Sequence, residues 1–488
     1  MRIFVRNTVG LMFLTSLAFL VSCANFEEKV AVAPVDCAQL AIKFVADGVR
    51  ITATEMVPAG STVPGMAQAY PMPAHCKVTG KMAERIGVDG KPYAIGFEMR
   101  LPEQWNQRFL FQANGGNDGV VVPAYGNVVA SGATTNALMQ GFAVLSSDAG
   151  HTMEPAATAG LVGGNLFGMD PQARLDYGYQ ANAKLAPMAK QLIGTRYGQP
   201  PSRSCMMGCS NGGRHGMVAA ARDAQQFDGI LVAAQVLEKC DALDGLKDGM
   251  VNNLVACQSA FDIKTLQCAG AKSESCLSAP QVTALQKVFA GPVTSKGEAL
   301  YSDWPWDAGV GASQIGFGSW RAWKLQGPIA GLPIIGALGA GSMAYIFPTP
   351  PKPVAGNPPA LIKSLLDFNF DTDAPAIFAT QGAFTESSVQ FMTPPNATDL
   401  SAFKQHGSKM IVYHGTSDPV FSFNDTRNWY EGVNKNQQGK AADLVQWVEN
   451  GKVPDQIVAT ARPLCPYPKN VAYSGNGDIN DASNFTCR

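Results

Sequence analysis

The stretch Ser204 to Gly216 reads SCMMGCSNGGRHG, and inside it Gly208-Cys209-Ser210-Asn211-Gly212 fits the pattern G-x-S-x-G. That pattern sets a serine on a sharp turn between a strand and a helix, so it constrains the chain on both sides. Both sides comply. Arg203 to Gly208 (RSCMMG) is an apolar run of strand length, and GMVAAARDA (Gly216 to Ala224) is a run of small residues suited to a helix lying close on a sheet. A serine hydroxyl is a poor nucleophile until a base takes its proton and a third group orients that base. The rest of the chain has to supply both.

Upstream, from Tyr93, short apolar runs alternate with turn-rich linkers: IGFEMRLP, RFLFQANGGNDG and GFAVLSSDAGH each read as a strand ending in a Gly- or Asp-rich loop. Leu175, Tyr179, Ala183, Leu185, Met188 and Leu192 are spaced for an amphipathic helix over Leu175 to Tyr197. FDGILVAA after the elbow and Lys409 to His414 (KMIVYH) read as two further strands; the loop after the second carries Asp418, and Ala441 to Glu449 reads as a helix. Strands alternating with helices predict an α/β fold. Between about 235 and 372 the texture changes. Cys240, Cys257, Cys268 and Cys276 crowd together, Trp304, Trp306, Trp320 and Trp323 cluster, and PTPPKPVAGNPPA (Pro348 to Ala360) resists regular structure. The chain therefore divides into 1–22 as a leader, 23–234 as the first part of the core, 235–372 as an inserted lid, and 373–488 as the second part of the core.

The leader reading rests on Arg2 and Arg6, the apolar run Val9 to Val21, and Ser22-Cys23-Ala24-Asn25, which together have a signal-peptide layout. Leu20-Val21-Ser22-Cys23 resembles a bacterial lipobox, in which Cys23 is lipidated and becomes the first mature residue. An ordinary secretory signal with an incidental cysteine is the alternative. Either way the chain is expected to leave the cytoplasm, as an outer-membrane lipoprotein or periplasmic protein, or secreted, with membrane attachment by lipid only. A net charge of -1 and the lack of any Lys/Arg run give no footprint for nucleic acid. Export permits disulfides, and setting Cys23 aside leaves an even number of the 11 cysteines. Cys205 and Cys209 cannot bridge each other along one strand, because four extended residues separate their α-carbons by about 13 Å.

The glycine loop Asn114-Gly115-Gly116-Asn117 offers a backbone N–H at Gly116 to a developing oxyanion, and Asn211, next after the serine, offers another; a plain turn is the bland reading of the loop. Asp241, Asp244 and Asp248, spaced around Gly245 and Gly249, could wrap carboxylates around one hard cation while Cys240 and Cys257 clamp the loop's ends. A solvated acidic turn is the alternative there.

Several of these motifs stand together in one order: FLFQANGGNDG, DAGH, Cys209-Ser210-x-Gly-Gly-Arg214, KCDALDGLKDGMV, YHGTSDPVFS, and the ending RPLCPYP to NFTCR. In that order the chain resembles the tannase/feruloyl esterase family from about Cys37 to its C-terminus. The resemblance implies an α/β-hydrolase core with an inserted lid domain, and hydrolysis of esters with an aromatic acyl group such as galloyl, feruloyl or a terephthalate-like unit. It implies Ser210 as nucleophile and Asp418 as triad acid. It also implies a structural calcium held by Asp241, Asp244, Asp248 and the carbonyls of Leu246 and Met250, and disulfides Cys37–Cys76, Cys268–Cys276 and Cys465–Cys487.

The family's triad runs Ser, Asp, His, and no histidine follows Asp418 in this chain. In the family that histidine precedes a cysteine bonded to the cysteine before the serine; here FNDTRNWYEGVNKNQQGK passes straight into AADLVQWVENGKVPD, without the pair. A second shortening falls at Ala234-Gln235. Of the five histidines, His75 reads as a surface or framework residue, His151 as able to face the elbow, His215 as pointed away by its helix, His406 as exposed, and His414 as structural. A non-catalytic envelope lipoprotein that keeps the fold and binds a phenolic ligand or a partner protein is the rival reading.

Overall fold

The computed structural model describes residues 34–62, 71–126, 135–233, 253–271, 276–306, 320–325, 327, 332–437, 457–458, 463–479 and 481–488. The leader, Cys23, the 234–252 acidic loop and the 441–449 segment lie outside them. No helix among the described residues is long and apolar enough to cross a membrane.

Eight strands form one mixed sheet: β1 (Val49–Val57), β2 (His75–Ile86), β3 (Pro92–Pro102), β4 (Arg108–Ala113), β5 (Ala143–Ser147), β6 (Arg203–Cys209), β7 (Gly229–Ala233) and β8 (Lys409–Val412). Their order is β1-β2-β3-β5-β4-β6-β7-β8. The first three pair antiparallel and β3 joins β5 antiparallel, while β5, β4, β6, β7 and β8 run parallel. Parallel strands are covered on both faces, which is why β5 is buried at every residue and the runs read as apolar without alternation. β1 is an edge strand exposed at most positions. Its sequence VRITATEMV carries no continuous apolar run.

Pro171–Leu175 (α1) starts under a cap, the Asp170 carboxylate accepting from Ala173 N at 2.7 Å. A π-helical turn over Asp176–Gln180 joins it to α2 (Ala181–Tyr197), which Gly198 ends at φ 75°. Leu185, Ala186, Ala189, Leu192 and Ile193 of α2 pack in one cluster with Phe97, Leu101, Phe109, Phe111 and Leu145 of the sheet. Burying each large side chain there contributes roughly 1.5 to 3 kcal/mol. The helix read from Leu175 is therefore real, with the π turn interrupting its start.

Among the described residues from 253 to 372 the elements are helical: α4 (Leu254–Ala260), α5 (Ala279–Ala290), α6 (Trp320–Lys324), α7 (Ile334–Tyr345) and α8 (Pro358–Asp367), α3 being the helix after the elbow, Asn211–Arg222. Trp306 stacks on Phe289 at 4.1 Å and Trp320 on the same ring at 5.1 Å, so the tryptophan cluster is a packing centre. The proline-rich run is irregular only as far as Asn357. Asn357 caps the helix by accepting from Ala360 N at 3.0 Å, and Pro358 and Pro359 occupy its first turn, where a missing N–H costs nothing. Arg174 ties this region to the core. Only 1 % exposed, it donates to the carbonyls of Gly168, Tyr345 and Pro348 at 2.7 to 2.8 Å and to Thr349 Oγ1 at 3.1 Å.

Disulfides join Cys37–Cys76, Cys268–Cys276 and Cys465–Cys487. Cys257 is also disulfide-bonded, and its expected partner Cys240 lies outside the described residues. His75 is a framework residue but not a surface one. It is fully buried, with Nδ1 2.7 Å from Pro73 O and Nε2 2.8 Å from Arg100 Nη1.

Candidate active site

Sheet order decides where the loops meet. β4 and β6 are neighbours, with Ala113 opposite Gly208, so the glycine loop and the elbow leave the same edge side by side. β8 is two strands beyond β6, and the Asp418 loop leaves that edge too. Parallel strands put all three C-terminal loops on one side of the sheet.

Ser210 has φ 57° and ψ -124° and is exposed, between β6 and the first residue of α3. A non-glycine residue in this region costs about 1 to 3 kcal/mol and persists only where its surroundings enforce it. Here the enforcement is close packing. A Cβ on Gly208 would lie 2.3 Å from the backbone carbon of Gly212, and one on Gly212 would lie 2.4 Å from Ala113 O. Only glycine fits at either place. Gly213 N and Arg214 N then bond to Ser210 O at 2.9 and 3.2 Å, starting the helix.

The glycine loop abuts the elbow: the Cβ direction of Gly115 meets Cys209 O at 3.4 Å and Ser210 Cβ at 3.8 Å. Gly116, the next residue, adopts φ 66° and is exposed. Asn114 pins the loop by donating from Nδ2 to Ser146 Oγ at 3.0 Å and to Ser147 O at 2.7 Å. Behind the turn, Asn211 is held at both ends of its amide, by Asp118 at 2.8 Å and Arg214 at 2.6 Å.

Asp418 is half-buried, and its Oδ1 accepts from Val420 N at 2.7 Å and Phe421 N at 3.0 Å. Burial raises the Cys209 thiol pKa, and the Asp418 charge raises it further, which sets the aspartate within electrostatic reach of the elbow. Residues 301–304 border this loop: Tyr301 Oη accepts from Ser422 N at 3.1 Å, and Asp303 Oδ2 from Asn424 Nδ2 at 3.1 Å. Lys324 Nζ lies 4.2 Å from the Trp304 ring centroid. Burial pushes that amine down to about 8 while Asp418 pulls it back up.

Each histidine is engaged elsewhere than at Ser210. His151 is buried, its Nε2 2.8 Å from Asn117 O and its ring stacked on Phe167 at 3.7 Å; burial holds its pKa down at about 4. It supports the glycine loop from behind. His215 is buried against Asp118 at 2.9 Å. His406 is exposed and meets Ser408 Oγ at 2.7 Å. His414 spans Thr426 Oγ1 at 2.8 Å and Phe421 O at 3.2 Å, with Asp418 Oδ2 at 3.4 Å. Ser210, Asn211, Gly116 and Asp418 thus share one edge of the sheet. Asp241, Asp244, Leu246, Asp248 and Met250 lie outside the described residues. The partnership of Asp118 with Asn211 and His215 was not read from the sequence, and the Asn-Asp pair closing NGGND was its one available signal.

A serine on a strand-turn-helix elbow, flanked by a glycine loop and an aspartate loop at one edge of a mainly parallel sheet, defines the chain as an α/β-hydrolase. More narrowly, it belongs to the tannase and feruloyl esterase family, whose family model matches residues 76–236 and 231–444. By family it is a carboxylic ester hydrolase. Mono(2-hydroxyethyl) terephthalate hydrolase of Piscinibacter sakaiensis is 35% identical over 536 aligned positions, covering 89% of this chain and 88% of that protein. A probable feruloyl esterase of Arthroderma benhamiae is 26% identical, covering 82% of this chain and 83% of that one. Feruloyl esterase B from Aspergillus oryzae has the same fold, with a TM-score of 0.69 at 21% identity over 93% of this chain and 99% of that one. The alignment with the Piscinibacter enzyme is longer than the 488 residues of this chain, so that enzyme carries stretches absent here. The family match also breaks at 231–236, where FDGILVAA runs into QVLEKC.

Proposed function

We propose that the chain is an exported serine hydrolase of aromatic carboxylic esters, of galloyl, feruloyl or terephthalate-like type. The observation that carries the proposal is the strained, exposed Ser210 on its elbow with the glycine loop abutting it from the adjoining strand, which supports the N–H groups of Gly116 and Asn211 as the oxyanion donors. Ser210 Oγ attacks the ester carbonyl, and the oxygen that becomes negative lies between those N–H groups. The C–O bond to the alcohol then breaks, the alcohol leaves with a proton, and water cleaves the acyl-serine to regenerate Ser210. Asp418 stands in the place of the triad acid. With no histidine between them, the serine proton passes to solvent, and turnover rests on the oxyanion donors and on binding. Those terms alone leave roughly 10³ to 10⁴-fold acceleration over water. Methyl gallate, methyl ferulate and a p-nitrophenyl ester assayed beside Ser210→Ala test this. Equal product release by wild type and variant sinks it.

Residues 235–372 form the lid in this reading, and Asp241, Asp244 and Asp248 with the carbonyls of Leu246 and Met250 hold a structural calcium. Three carboxylates so spaced suit a hard cation, and the disulfide at Cys257 would close the loop. Chelation is expected to lower the melting temperature; no shift, with no calcium by elemental analysis, overturns the assignment. Cys23 carries the lipid anchor, and the three described disulfides fit the oxidising compartment this requires. The engagement of all five histidines elsewhere favours a second reading, a binding lipoprotein without turnover. Affinity for ferulate with no Ser210-dependent release would select it.

A further inference from the structure

Asp118 lies two residues after Gly116 and is 8 % exposed, at the centre of a closed set of hydrogen bonds. Its backbone N–H bonds to Gly115 O at 3.3 Å, closing the glycine turn. Its Oδ2 accepts from Asn211 Nδ2 at 2.8 Å and lies 2.9 Å from His215 Nε2. His215 Nδ1 is 3.0 Å from Asn182 Nδ2, and besides Asp118 its Nε2 has Asn211 Nδ2 and Arg214 Nη2 each at 3.3 Å, so the ring is enclosed by polar partners on both nitrogens. Burial, reinforced by Arg214, lowers the His215 pKa, in keeping with a neutral ring.

Asn211 is fixed from its other end as well. Arg214 Nε donates to Asn211 Oδ1 at 2.6 Å, and Arg214 is itself anchored on the carbonyls of Tyr177 and Gly178 at 3.0 and 2.8 Å, in the π turn. A buried carboxylate and a half-buried guanidinium are therefore bridged through one amide, and the amide cannot rotate without breaking both bonds. Backbone N–H groups at the start of a helix have no acceptor within it, which leaves the Asn211 N–H to serve a ligand. Its usefulness depends on placement, since donors stabilise an oxyanion only when already in position.

We propose that Asp118, backed by His215, is a positioning residue that sets the separation of the two oxyanion donors. Its main chain closes the turn carrying Gly116, and its carboxylate holds Asn211, the residue after the serine, from the neighbouring loop. The proposal rests on the hydrolase reading above. It assigns a role to a carboxylate and a histidine that the reaction itself does not touch.

The test uses full-length protein with Asp118→Ala, Asp118→Asn and Asn211→Ala. Asparagine at 118 keeps an oxygen acceptor for both donors. Asp118→Ala is expected to lower kcat roughly ten- to hundred-fold with KM within about two-fold, and Asp118→Asn to stay within about three-fold of wild type. Asn211→Ala cuts the same link from the other side, and a comparable kcat loss is expected if Asp118→Ala folds poorly. Hydrogen exchange in peptides spanning Cys209 to Gly216 is expected to quicken in Asp118→Ala and to match wild type in Asp118→Asn. A kcat within two-fold of wild type in both alanine variants overturns the proposal. So does a rate loss no larger than the loss of folded protein. If wild type is no faster than Ser210→Ala, the hydrolase reading fails on that comparison alone. Exchange then decides the role of Asp118, and unchanged exchange in Asp118→Ala overturns it.

Discussion

Ser210 and Asp418 follow strands two apart in one sheet, β6 and β8, yet their loops are secured by different means. Around the serine the support reaches in from distant parts of the chain: Gly212 against Ala113, buried Asp118 on Asn211, and Asn114 on β5, with Arg214 adding a nearer hold on Asn211. Around the aspartate it is local and half-exposed, with Val420 N and Phe421 N on the carboxylate. Its outer neighbours, Tyr301 and Asp303, belong to the region between core halves. The half of the site proposed to hold the oxyanion is preorganised by the core. The acid half satisfies itself without a base to orient, so the two halves should contribute unequally to rate.

The largest expected effect tests that inequality. Ser210→Ala should take ester release to the buffer background, while Asp418→Asn should change kcat by less than about ten-fold, against the roughly 10⁴-fold cost of the same change in an intact triad. A thousand-fold loss in Asp418→Asn would show that some base does connect the halves. Next in size is Arg174→Met. It strips the donors from three carbonyls and a buried hydroxyl, and should cost about 2 to 4 kcal/mol in denaturant unfolding. An unchanged unfolding midpoint would show that the 345–349 segment is held without it.

The smallest effect is a pH dependence beside the glycine loop. Burial raises the Asp148 carboxyl to about 7, although it accepts from Gly96 N and Gly150 N. A raised carboxyl contributes stability that is complete below its unfolded value near 4 and is lost as pH rises through about 7. Asp148→Asn keeps the acceptor oxygen and removes the charge. Its advantage in melting temperature over wild type should be least below pH 4, grow between pH 4 and pH 7, and reach a few degrees at pH 8. An equal difference below pH 4 and at pH 8 would contradict the shift.

The elbow, the strands from β3 onward and the helix packed on them were legible because each is a local pattern of apolar and small residues. β1 and β2 leave no such pattern. β1 is exposed on most of its length, and β2 is exposed or half-buried over its second half, so neither shows the apolar run that marks an inner strand. The proline-rich run suggests irregular structure throughout because prolines break helices, yet Pro358 and Pro359 sit at the one place a helix accepts them. Ser210, Asn211, Gly116 and Asp418 could be placed from motifs. Asp118 could not, since its partner Asn211 is 93 residues away and only the adjacency of β4 and β6 brings them together.

That adjacency has a consequence for how such a chain tolerates change. Neighbouring strands lie about 4.8 Å apart by the geometry of their hydrogen bonds. The ladder between β4 and β6 therefore brings Gly116 and Asn211 near each other, leaving to Asp118 the fine adjustment proposed above, and the length of any segment outside that ladder has no bearing on it. Stretches can be lost after β7 or after the helix Phe423–Gln437 while the pairing of β4 with β6 stays in register. A histidine supplied from outside that ladder would meet a serine already aimed.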